Sequence, residues 1–133
     1  MKVLSIIEPW ASLIKEQIKY IETRSWKTNY RGKIYIHASL KKVSKKDERV
    51  NHLVSLLENQ DFKYGYIIAE ATLVDCIYMD EDYLNKIKEN ETEYICGEYS
   101  IGRYAWILED IKPLQNPIKV KGNLGLWNYN END

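Results

Sequence analysis

The 133-residue sequence predicts an α+β fold built on a mostly antiparallel sheet. Three observations point there. Runs of period-two alternation recur at 20–26, 33–38, 66–78 and 103–110, several of them rich in β-branched or aromatic residues. Between them lie runs with apolar residues three and four apart, at 9–17 and 45–59. Finally, 44% of residues are hydrophobic in a chain with no internal repeat and no linker, which suits one domain over 1–133 with a sizeable core. The pattern leaves open whether the sheet is open or closed into a barrel.

Each element has its own cause. Residues 2–7 form a first strand through Val3, Leu4, Ile6 and Ile7. The helix at 9–17 follows from Pro9, whose fixed φ and missing N–H suit a first helical position. Glu8 then falls at the N-cap, where its carboxylate can accept from free backbone N–H groups. Trp10, Leu13, Ile14 and Gln17 share one face of that helix. From Tyr20 the period drops to two, so Ile21, Thr23 and Ser25 point one way and Glu22, Arg24 and Trp26 the other. Asn29 and Gly32 can take left-handed φ and make a turn at 27–32. At 33–38, Ile34, Ile36 and Ala38 face one side and Lys33, Tyr35 and His37 the other, which describes a half-buried strand.

Ser44 is the expected N-cap of the helix at 45–59, whose apolar stripe is Val50, Leu53, Val54 and Leu57. The strand at 66–78 is the longest, and its small Ala69 and Ala71 permit close packing in an interior. Asp80, Glu81 and Asp82 open a short helix running to about residue 89. Residues 94–96 read as a brief strand broken by Gly97. In the strand at 103–110, Tyr104, Trp106 and Leu108 share a side. Pro113 and Pro117 bound a loop, and 118–121 supplies a last strand. Gly122 and Gly125 free the backbone to turn so that Leu126 and Trp127 pack back. Residues 128–133 should fray.

Composition narrows the function classes. No apolar run approaches the roughly 20 residues of a membrane-spanning helix, and residues 1–7 are too short for a signal peptide, so a cytoplasmic, non-membrane protein is expected. Cys76 and Cys96 form no Cys-x-x-Cys pair, and His37 and His52 add no metal-ligand spacing, so neither a metal site nor another cofactor is expected. Net charge is −1, but its distribution is uneven: +7 over residues 1–49, −9 over 50–110 and +1 over 111–133. The first third can present a basic surface, and the run at 41–46, with four lysines, can contact phosphate or form a solvated helix entry.

The candidate site lies within 6–39. Lys19, Glu22 and Arg24 place a cation, a carboxylate and a second cation near one helix–strand junction. Such a trio can bind a phosphate or a polar base edge, Arg through its planar fork and Glu by accepting from an amino group. It can also share proton transfer, with Lys19 and Glu22 as catalytic groups, or be a structural ion-pair cluster. Trp26 shares strand parity with Glu22 and Arg24 and can wall a cleft; Trp10 can anchor its helix or offer a stacking face. Arg31 can reach a phosphate or a neighbouring carboxylate. His37 is either structural or a group that protonates near neutral pH. Trp106 and Trp127 read as core.

Glu8-Pro9-Trp10-Ala11-Ser12-Leu13-Ile14, Ile18-Lys19-x-x-Glu22-x-Arg24, Trp26, Arg31-Gly32 and Ile36-His37-Ala38 resemble the signature of the activating-signal-cointegrator homology (ASCH) domain family. Tyr104-Ala105-Trp106-Ile107-Leu108-Glu109 and Lys121-Gly122-x-Leu124-Gly125-Leu126-Trp127 extend the resemblance over nearly the whole chain. Glu8 stands where the family usually has Gln, and Glu70 where a small or different residue is expected. The resemblance implies a small β-barrel of the PUA-like superfamily, with helices around it, that binds RNA or a modified nucleoside. One bacterial branch that it resembles removes acetyl from N4-acetylcytidine with a Lys, a Thr and a Glu. Lys19 matches that Lys, the Thr position is Glu22, and Glu70 or Glu109 could supply the carboxylate. Some other members cleave RNA, and a protein-interaction module of a transcription or translation complex is a third reading.

Overall fold

The computed structural model describes residues 1–130. In chain order the elements are β1 (Lys2–Ile6), α1 (Trp10–Lys15), β2 (Ile21–Arg24), β3 (Gly32–Ala38), α2 (Glu48–Ser55), β4 (Tyr66–Tyr78), α3 (Glu81–Ile87), α4 (Glu91–Ile95), β5 (Tyr104–Lys119) and β6 (Leu126–Asn128). The six strands form one mixed sheet in the order β2-β5-β4-β3-β1-β6. β1 and β3 run parallel and every other pair is antiparallel. The sheet curls into a half-barrel, so the fold is α+β and barrel-like, as expected. β2 and β6 are its two edges and do not pair with each other among the described residues.

The main core fills the curl. Leu4 from β1, Ile34 and Ile36 from β3, Ala69, Ala71 and Leu73 from β4 and Trp106 and Leu108 from β5 meet Ala11 and Ile14 of α1. All of these are buried, and burying a large aliphatic side chain contributes roughly 1.5–3 kcal/mol. Ala69 and Ala71 are the small interior pair that the alternation suggested. A second cluster seats α2 through Leu53 and Leu57 on Leu13 and Cys96.

The other face of the sheet is covered too. Val3, Ile67 and Trp127 form a third cluster with Tyr35, Leu114, Ile118 and Val120. The half-buried reading of β3 holds at Lys33, which is exposed, and at half-buried Tyr35, and is corrected at His37. His37 lies on the side expected to be polar, yet it is 1% exposed, because Val120 and Trp127 fold over it.

Four local expectations are corrected. The cap of α2 is Asp47 rather than Ser44, its carboxylate accepting from the N–H groups of Arg49 and Val50, so 41–46 remains loop. Residues 94–96 fall in or beside α4 instead of a strand. The Asn90 side chain accepts from Glu93 N, and Glu91 and Glu93 fill the first turn, where acids favour a helix start. Pro113 and Pro117 lie inside β5 rather than bounding a loop. β2 pairs with β5 only as far as Ile107, so beyond it β5 has an open side where a missing N–H is tolerated. Finally, residues 128–130 are not loose. Tyr129 exchanges backbone hydrogen bonds with Met1, and Asn128 pairs with Lys2. Residues 131–133 lie outside the described residues.

The start of α1 keeps its expected chemistry with a shifted label. Pro9 is the N-cap, after a cis Glu8–Pro9 peptide. The Glu8 carboxylate still accepts from Ser12 N at 2.7 Å and from the Ser12 hydroxyl at 2.6 Å. Gln17, at φ 61°, stands just beyond the end of α1.

Candidate functional site

A cleft of about 820 Å³ opens where the barrel does not close. On one side stands β2 with its continuation to Trp26. On the other lie Ser5 of β1 and the loop 121–125 that leads to β6. Trp10 and His37 line it from within, and Gly97, Glu98 and Arg103 from the far rim.

Glu22 and Arg24 form its charged floor. β2 alternation points both side chains the same way, as the sequence indicated. Arg24 Nε donates to Glu22 Oε2 at 3.1 Å, and its Nη2 lies 3.0 Å from the same oxygen. Nη2 also donates to the Ser5 carbonyl at 2.8 Å, which ties β2 to β1 across the seam. Nη1 has no hydrogen bond among the described residues.

Lys19 is close to this pair but is not a wall of the cleft. Its side chain is 0% exposed. The ammonium donates to the Ile21 carbonyl and sits 3.7 Å from Glu22 Oε1. The helix–strand junction turns it inward beneath β2, because its backbone N–H bonds to the Leu13 carbonyl at the end of α1.

Beside Lys19 is a buried group that sequence reasoning missed. Glu93 of α4 accepts from Tyr20 N through Oε1, while its Oε2 is buried without a hydrogen-bond partner. Burial pushes its carboxyl above the ordinary value, against the lowering pull of the Tyr20 bond and the Lys19 charge. Burial, and then the Glu93 charge, pushes the Tyr99 hydroxyl up and the Tyr83 hydroxyl up to about 12. Burial likewise raises Cys96, which stays a thiol. Nothing in the acid-rich run around Glu93 marks it as the buried member. Its helix position after Asn90 becomes visible only once the cap is in place.

His37 is held at both ends. Its Nε2 faces the Val120 carbonyl at 2.9 Å, and a carbonyl only accepts, so Nε2 carries the proton. In the neutral ring Nδ1 then accepts from the Ser5 hydroxyl at 3.2 Å, and Ser5 Oγ in turn accepts from Trp127 Nε1 at 3.0 Å. Gly122 lies against the ring so closely that a Cβ there would fall 2.5 Å from Cε1.

Trp26 is 36% exposed. Its ring meets Trp106 edge-on, with centroids 4.7 Å apart, and Trp106 Nε1 donates to the Trp26 carbonyl. A buried indole thus braces one that is open to the cleft. Trp10 both packs against the core and lines the cleft. Arg31 is elsewhere: it donates to the Thr28 and Tyr30 carbonyls and faces Asp75 at 3.7 Å. Of the seven residues singled out from sequence, five line the cleft, Lys19 lies beneath it and Arg31 lies outside it. Lys121 and Arg103 are cations of the rim that sequence reasoning did not select.

A curled mixed sheet ringed by short helices is an α+β, barrel-like fold, with the cleft at its open seam. More narrowly, the chain belongs to the ASCH domain family, whose family model matches residues 4–119. It is similar to activating signal cointegrator 1 of Homo sapiens, at 28% identity over 125 residues, covering 93% of this chain and 21% of that protein. The Mus musculus protein of the same name is 27% identical over the same shares. The chain therefore spans about a fifth of the length of these curated relatives. Among solved structures it resembles ASCH from Zymomonas mobilis, with a TM-score of 0.58 at 20% identity over 90% of this chain and 73% of that one. A mutant of that protein superposes with a TM-score of 0.54 at 18% identity, over 89% and 72%. At these identities the likeness is one of fold.

Proposed function

We propose that the domain binds single-stranded RNA, or a nucleoside within it, in the seam cleft. The observation that carries this is the Glu22–Arg24 pair set beside the half-open indole of Trp26. Trp26 offers a face on which a base can stack, whatever its identity. Glu22 can accept from an exocyclic amino group, and Arg24 Nη1 and Lys121 can meet phosphate or carbonyl oxygens. The volume suits a nucleotide-sized guest, since small-molecule sites run roughly 300–1,000 Å³. The cations Arg24, Arg103 and Lys121 outnumber the anions Glu22 and Glu98 around it, although the molecule as a whole is slightly acidic. Recognition is local rather than a long-range pull on the nucleic acid.

The position of Lys19 supports binding over turnover. A general base or nucleophile must come within about 3 Å of the reacting group. Lys19 instead spends its ammonium on Ile21 and Glu22 under the cleft floor.

Titration of the pure protein with short single-stranded RNAs, followed by tryptophan fluorescence, tests this. Trp26→Ala is expected to weaken binding by about 5- to 160-fold, the worth of one stacked base. Arg24→Ala should weaken it and flatten its salt dependence by about 0.7 of a log unit per log of salt if it meets one phosphate. Wild-type protein that ignores RNA, or affinity unchanged in both variants, refutes the proposal. Deacetylation of N4-acetylcytidine that disappears in Lys19→Ala would replace it with a hydrolase.

A further inference from the structure

A second hollow of about 480 Å³ lies beside the cleft, between α2 and α4. The two share a wall, the backbone of Gly97 and Glu98. That wall is one residue thick. A Cβ on Gly97 would come 2.6 Å from the Tyr99 ring in the second hollow and 3.0 Å from Thr23 in the first. Glycine keeps the two spaces adjoining.

The lining of the second hollow has the chemistry of a single-strand nucleotide site. Tyr94 and Tyr99 stack with their centroids 5.7 Å apart and planes at 20°, and Tyr99 stacks in turn on Tyr83 at 6.4 Å and 28°, so Tyr94 is the end of the stack that lines the hollow. Arg49 reaches over from α2 and donates to the Ile95 and Gly97 carbonyls, at 3.3 and 2.9 Å. Its guanidinium pairs with no carboxylate among the described residues, so its charge is open to an incoming anion. His52 stands exposed one turn further along α2. The anion on the shared wall, Glu98, is already opposed by Arg103 at 3.8 Å.

The basic run at 41–46 links the two sites along the chain. It starts just after Leu40, on the rim of the cleft, and ends just before α2, which carries Arg49. Lys41, Lys42, Lys45 and Lys46 are all exposed, and none pairs with a carboxylate among the described residues. Lys42 lies over the Tyr64 ring at 4.1 Å, which leaves Lys41, Lys45 and Lys46 as cations a backbone of phosphates can meet along this stretch of chain.

Taking the cleft as an RNA site, as proposed above, we infer that the hollow between α2 and α4 is a second subsite that takes the neighbouring nucleotide of the same strand. Its base lies against Tyr94, at the end of the tyrosine stack, and its phosphate meets Arg49 and His52. The ligand is therefore an oligonucleotide and not a free nucleoside.

A length series tests this on the full chain: nucleoside monophosphates, then di-, tri- and tetranucleotides of mixed sequence, titrated at fixed salt. Affinity should rise about tenfold or more as the ligand grows past one nucleotide, one further stacked base being worth roughly that. Arg49→Ala should abolish the rise and leave monophosphate binding unchanged. His52→Glu, at an exposed position that does not threaten folding, should do the same. Oligomers that bind no tighter than the monophosphate overturn the second subsite and leave the cleft standing. So do variants that weaken short and long ligands alike. Failure of every ligand to bind removes the cleft reading itself, and the second subsite with it.

Discussion

Replacing Gly122 with alanine tests how rigidly the back of the cleft is built. The added Cβ would sit 2.5 Å from His37 Cε1, 2.8 Å from Nδ1 and 3.1 Å from Ser5 Oγ. Ordinary carbon contacts lie near 3.5–4.0 Å, so ring or loop must shift by about 1 Å. The ring has nowhere easy to go. Its two nitrogens are bonded to Val120 and Ser5, and its flank meets Trp127 edge-on at 5.7 Å. Overpacking of this kind costs about 1–3 kcal/mol, and a stretched hydrogen bond adds about 1. The φ of Gly122 lies outside the left-handed region, so no backbone strain enters the sum. The expected loss is therefore ~2–4 kcal/mol, read by urea denaturation monitored through tryptophan fluorescence. A double-mutant cycle isolates the cause. With His37→Ala already present, the new methyl enters vacated space and Gly122→Ala should be nearly neutral, a coupling of at least ~1 kcal/mol. Equal cost in both backgrounds would show that the contact between loop and ring is not what limits this position.

Two further predictions concern the charges beneath the cleft. Lys19→Met keeps the volume but removes the buried cation beside Glu93 and leaves Glu22 with Arg24 alone, so stability should fall, by ~3–5 kcal/mol at most; a loss below ~1 kcal/mol would mean that water reaches the site. Glu93→Gln should change stability in a pH-dependent way. Burial raises the Glu93 pKa in the folded chain above the ordinary 4.5, so the cost of burying its ionised form is fully present above the raised value. That cost disappears as pH falls through the raised value towards 4.5. Relative to wild type, the Gln variant should therefore be favoured most near neutral pH and lose that advantage as pH falls towards 4.5, and a difference flat across that range would refute it.

Much of the fold was legible because the signals were local and repeated. The alternation in β2 placed Glu22 and Arg24 on one side, and they meet as an ion pair, but Thr23 and Ser25 of the opposite parity line the cleft too, and the chain bends at Ser25 and Trp26 beyond the end of β2. The Ala69–Ala71 pair marked an interior, and Asp80 capped α3 by its own side chain. What failed depended on partners distant in sequence. The polar side of β3 is buried at His37 alone because Val120 and Trp127, more than eighty residues away, fold over it. Pro113 and Pro117 read as loop because a proline signals its missing N–H, while the open side that tolerates it is a property of the sheet. Lys19 was correctly grouped with Glu22, but no periodicity says whether a long side chain at a junction turns outward or under. The partnership of Lys19 with Glu93 joins residues more than seventy positions apart and leaves no trace in either segment.

The edge of β2 explains why these charges sit where they do. In an antiparallel pair, alternate residues direct their N–H and C=O groups away from the partner strand. β2 has β5 on one side and no strand on the other, which would leave the outward groups of Ile21 and Thr23 bare. Side chains take the place of the missing strand. Lys19 donates to the Ile21 carbonyl, and Glu93 accepts from Tyr20 N just before the strand. Glu22 accepts from Thr23 N at 3.2 Å, and Arg103 donates to the Thr23 carbonyl at 3.2 Å. An edge satisfied in this way has no need to pair with β6, so the barrel can stay open and stable together. The cleft is the space that pairing would have filled. Charges in this position must be matched to carbonyls and N–H groups as well as to any guest. A substitution at Lys19 or Glu93 should therefore register first in the stability of β2, and in binding only through the shape of the seam.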